Sequence, residues 1–77
     1  MKNETNKLTD MEVSCLLMMR DLGASMKTAS TIMGTLACTK NPEIKQKRLF
    51  SRLEKLWKEH KSLTDQDFHN ILGQILQ

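Results

Sequence analysis

Three features of this sequence predict an all-α, compact four-helix domain. Apolar residues recur at helical spacing in four segments. Each segment opens on a capping signal, and no stretch alternates as a half-buried strand does. The expected helices cover about 10–22, 26–38, 42–60 and 64–76, joined by links of three residues. With 77 residues, one domain over 8–77 is the sensible count, behind a flexible tail at 1–7. A chain this small buries roughly 60% of its unfolded surface, so its core is thin.

The first helix starts at a capping box, Thr9 with Glu12, with Leu8 and Val13 placed to staple across it. Gly23 supplies the left-handed stop. Met11, Val13, Cys15, Leu16, Leu17, Met18, Met19 and Leu22 cover most of its circumference. A helix apolar nearly all round is buried on more than one face. One reading is a central helix wrapped by the other three. The other is a partner or homodimer surface over Met11, Cys15, Met18, Met19 and Leu22.

Ser25 caps the second helix. Met26, Ala29, Ile32, Met33, Leu36 and Ala37 form its apolar stripe, and Thr28, Thr31, Thr35 and Thr39 run along the opposite side. Threonines and Gly34 make this helix intrinsically weak and dependent on packing.

Asn41-Pro42-Glu43 opens the third helix, with Asn as N-cap, Pro at the first helical position and an acid in the first turn. Leu49, Phe50, Leu53, Leu56 and Trp57 make its apolar face. Lys45, Arg48, Arg52 and Lys55 recur on the other, beside Lys47 and Ser51. The fourth helix repeats the first one's opening: Leu63-Thr64-Asp65-Gln66-Asp67-Phe68 echoes Leu8-Thr9-Asp10-Met11-Glu12-Val13. Phe68, Ile71, Leu72, Ile75 and Leu76 then form a narrow stripe.

The composition excludes several classes. No apolar run approaches the ~18 residues that span a bilayer, and no signal pattern opens the chain, so no membrane role is expected and the cytoplasm is the expected compartment. Cys15 and Cys38 lack a CxxC partner and read as two small buried hydrophobes in a reducing setting. An apolar helix raises the Cys15 thiol pKa and makes it a poor nucleophile. His60 and His69 have no second ligand at helical spacing, so no metal site is expected. The three glycines are isolated, so no phosphate loop is present. No catalytic constellation, cofactor or small-molecule substrate is expected.

The charge is concentrated instead. Residues 41–61 hold seven Lys or Arg against three Glu, a net of +4, where the whole chain carries +3. A basic stripe opposite an apolar one suits nucleic-acid phosphates or an acidic protein partner. The helix order, with a Gly turn, a short second helix and a basic third, is that of a tri-helical DNA-binding unit, giving a helix-turn-helix-like arrangement. Leu8-Thr9 and Arg52-Leu53-Glu54 resemble the outer landmarks of winged-helix regulators over a few residues, though no wing hairpin follows. The expectation is a small non-enzymatic transcription regulator of bacterial or phage type, a homodimer that binds duplex DNA through its basic third helix. Its contacts would be Lys45, Lys47, Arg48, Ser51, Arg52 and Lys55. The rival is a protein-binding adaptor, antagonist or inhibitor using a Met-rich apolar surface on the first two helices.

Overall fold

The computed structural model describes residues 10–77. The expected tail at 1–7 and the Leu8 and Thr9 start signals lie outside the described residues. Helix α1 (Asp10–Leu22) ends where Gly23 turns left-handed at φ 117°. Gly23 N–H donates to the Arg20 carbonyl at 3.1 Å and Ala24 N–H to that of Met19 at 2.9 Å, which satisfies two orphan carbonyls. Leu63 N–H then donates to the Leu22 carbonyl at 2.9 Å, tying this turn to the link before the last helix.

Helix α2 (Met26–Ala37) is capped by Ser25, whose hydroxyl oxygen accepts from Thr28 N–H at 3.2 Å. Helix α3 (Pro42–Lys58) starts on Asn41, but not as the expected side-chain cap. Asn41 is left-handed at φ 54° and its side chain makes no cap bond. Asn tolerates this backbone conformation better than most residues do. The helix also stops two residues before 60, because His60 is itself left-handed at φ 56°. His60 N–H donates to the Trp57 carbonyl and Lys61 N–H to that of Leu56, the same stop that Gly23 makes. Helix α4 (Asp65–Leu76) has the full capping box: Asp67 N–H donates to Thr64 Oγ1 at 3.2 Å, and Thr64 N–H to Asp67 Oδ2 at 2.9 Å.

Helix α1 packs on α2 and α3, and α4 packs on the same two, while the backbones of α1 and α4 stay apart. Met11 lies with Glu43 and Gln46 at one end, and Met18 and Asp21 with Glu54 and Trp57 at the other. Helices α1 and α3 therefore run side by side in the same direction. The core takes Cys15, Met19 and Leu22 from α1, Ile32 and Leu36 from α2, Leu49 and Leu53 from α3, and Phe68 and Ile71 from α4.

Several expectations change at this level. Cys15, Met19 and Leu22 are buried within the single chain, so they are not surface for a partner. The two contacting helices α2 and α3 account for the wide apolar circumference of α1. Trp57, assigned to the apolar face of α3, is 46% exposed. Thr28, assigned to the outer side of α2, is buried. Both cysteines are free, but Cys38 is exposed where Cys15 is buried. The helix-turn-helix-like expectation centres on α2 and α3, yet that pair shares the smallest contact and α3 lies chiefly along α1. No strand follows α3 among the described residues. No helix is long and apolar enough to cross a membrane among them either.

Candidate nucleic-acid interface

The outward side of α3 follows from its core side. Leu49 and Leu53 turn inward, which leaves Lys47, Arg48, Ser51, Arg52 and Lys55 exposed. These five line one open groove of about 610 Å³ with Ile44, completed by Ile75 from α4. From Ile44 to Lys55 the face is about 17 Å long at the rise of an α-helix. Five of the six expected contacts thus share a surface. Lys45 does not: it is half-buried, and its ammonium donates to the Lys40 carbonyl, where it closes the link into α3.

Arg52 is oriented by α4, because its Nη2 donates to Gln74 Oε1 at 2.6 Å. A planar guanidinium has five N–H donors, so others remain for an anion. Ile44 is 52% exposed at the N-terminal end of the face. Sequence reasoning passed over Ile44, Gln74 and Ile75. Ile44 had a signal, an isolated apolar residue between Glu43 and Lys45, but the two α4 residues join the face only through tertiary packing.

The charges on this face are not neutralised by ion pairs among the described residues. The one ion pair among the described residues is Arg20 with Asp21, at 3.8 Å on α1. Lys47, Arg48, Arg52 and Lys55 have no carboxylate partner there. Such a surface carries an uncompensated positive potential suited to phosphate oxygens, with Ser51 adding a hydroxyl donor.

A second surface lies where α1 meets α3. Leu17 is 45% exposed, and with Ser14, Met18, Asp21, Phe50, Glu54 and Trp57 it lines a groove of about 270 Å³. Of the expected partner residues, Met18 lines this groove and Met11 borders a notch at its other end, both half-buried. No continuous methionine surface results among the described residues, because Met19 and Met33 are in the core and Met26 stands alone outside.

Burial pushes the Cys15 thiol up to about 11, with Glu12 adding to the rise. It stays a neutral core group, as its apolar helix predicts. Among the described residues no three His, Cys, Asp or Glu side chains gather as a metal site would require. Comparison with protein-family models, with curated proteins and with solved structures finds no match to this chain.

Proposed function

We propose that this chain is a small non-enzymatic regulator that binds duplex DNA through the outward face of α3. The observation that carries the reading is the set of four cations, Lys47, Arg48, Arg52 and Lys55, on one side of one helix around Ser51, none with a carboxylate partner among the described residues. An α-helix fits the major groove of B-DNA, and phosphate neutralisation supplies most of the affinity of such a contact. A bacterial or phage regulator in a reducing cytoplasm is the setting this reading implies.

Fluorescence anisotropy of a labelled duplex at low salt tests it. The native chain should bind, and the R48A/K55A variant should bind roughly ten-fold more weakly or worse. Both side chains are exposed, so the fold should survive the change. A K27A variant, changed at an exposed lysine on α2, should bind as the native chain does. Absence of binding by the native chain, or an equal loss in K27A, contradicts the proposal.

A further inference from the structure

The groove between α1 and α3 belongs to neither the core nor the basic face. Leu17 and Trp57 stand nearly half exposed on it, with Val13 40% exposed nearby. An apolar strip rimmed by charge marks an interaction surface. The charges along α3 on this side indicate what covers it.

In order along the helix they are Glu43, Lys47, Glu54 and Lys58, with Phe50 near the middle. Their spacing of four, seven and four residues keeps them on one side. None is in an ion pair among the described residues. The signs alternate, so the series matches its own reverse. Laid antiparallel on a second α3 about a point between residues 50 and 51, Lys47 stands opposite Glu54 and Glu43 opposite Lys58. Laid parallel in register, each charge meets its own sign.

We propose that a second copy of this chain docks here, antiparallel across a two-fold axis, with Lys47 opposite the partner's Glu54 and Glu43 opposite the partner's Lys58. Such an interface is isologous, so every contact occurs twice. The same register carries Trp57 towards the partner's notch between Met11, Glu43 and Gln46, which measures about 160 Å³. The apolar strip supplies the burial, and the charge order sets direction and register. The dimer stands without the DNA reading. If that reading also holds, a further consequence follows from geometry. A two-fold axis in the plane of the face and across the helices leaves the sideways direction unchanged. Arg48 and Lys55 lie on the side of α3 turned towards α4, whose backbone stays apart from that of α1. Both basic faces therefore end on the same side of the dimer.

Sedimentation velocity read together with Trp57 emission tests the interface. The chain has a single Trp, so its emission reports this site alone. At tens of micromolar the native chain should sediment as a dimer of 8.9 kDa protomers. Its emission should shift to the blue as concentration rises. E54K should weaken the dimer roughly ten-fold or more without loss of helicity. The E54K/K47E double variant should restore it, and so should a mixture of the E54K and K47E single variants. A native chain that stays monomeric overturns the proposal. So does a dimer indifferent to E54K, or one that the charge exchange fails to restore. Lys47 borders both surfaces but Glu54 lies outside the basic groove, so the effect of E54K on sedimentation, read without DNA, separates a failure here from a failure of DNA binding.

Discussion

Gly23 and His60 both end a helix in left-handed backbone, but only one of them suits it. A Cβ on Gly23 would stand 2.8 Å from the Leu63 carbonyl oxygen, and that backbone is already held by Leu22. G23A should therefore cost about 1–2 kcal/mol from conformation alone, with the steric clash added. His60 is exposed and carries the same conformational cost without need. H60G should gain about 0.5–1 kcal/mol after the looser unfolded chain is allowed for. Thermal unfolding should show Tm falling in the first variant and rising by a few degrees in the second. The two cysteines separate in the same way by environment. Cys38 should react readily with iodoacetamide in the native state, while Cys15, buried and with its thiol raised to about 11, should react only on unfolding. Mass spectrometry of the labelled chain reads this directly, and equal labelling of both would contradict the burial described. Of these residue roles, Gly23 was legible from its place after Leu22. His60 was not, because nothing in its side chain announces a left-handed turn.

At the scale of elements, the least expected device joins α2 to α4. Helix α2 has no acid in its first turn, so its positive end lacks a local counter-charge. Asp65, the first residue of α4, supplies one. Its Oδ1 accepts from Ser25 N–H at 3.1 Å, and its Oδ2 lies 3.2 Å from the Ser25 hydroxyl. Ser25 Oγ has one proton and a carboxylate is its stronger acceptor, which leaves the Thr28 hydroxyl, 3.1 Å away, to donate in return. One carboxylate thus serves two helix starts. The Ser25 backbone bond, more than any other interaction, holds the Asp65 carboxyl below its ordinary 3.8. A depressed carboxyl pKa contributes stability that is complete above the unfolded value and is lost as pH falls through the folded one. D65N should lower Tm at neutral pH, and the gap to the native chain should close as pH falls below 3.8 and through the folded pKa. A gap that persists there would contradict the linkage. Ser25 as a cap was legible from its spacing. Its partner forty residues on was not, because hydrophobic periodicity places elements without pairing their ends.

For the whole molecule, four helices and their bounds follow from caps and periodicity because both are local physics. What sequence reasoning assigned less well depends on which helices become neighbours. The apolar breadth of α1 suggested a partner over Cys15, Met19 and Leu22, but α2 and α3 cover those residues within one chain. Trp57 sits near Leu53 on a helical wheel, yet it falls beyond the edge of α1 and stays half exposed. The thin core expected of so short a chain is filled, and the unfilled apolar surface moves to Leu17 and Trp57. The basic side of α3 was legible because an uncompensated run of cations needs no tertiary partner to be seen. Only Lys45 left it, through a backbone bond to Lys40. The role proposed for this side is to bind DNA by neutralising phosphates. The measurement that tests it most directly is the salt dependence of duplex affinity. Four phosphate contacts predict a slope of roughly −4 for log K against log salt, shallower by about two units in R48A/K55A. An affinity indifferent to salt, or a slope unchanged in that variant, would contradict it.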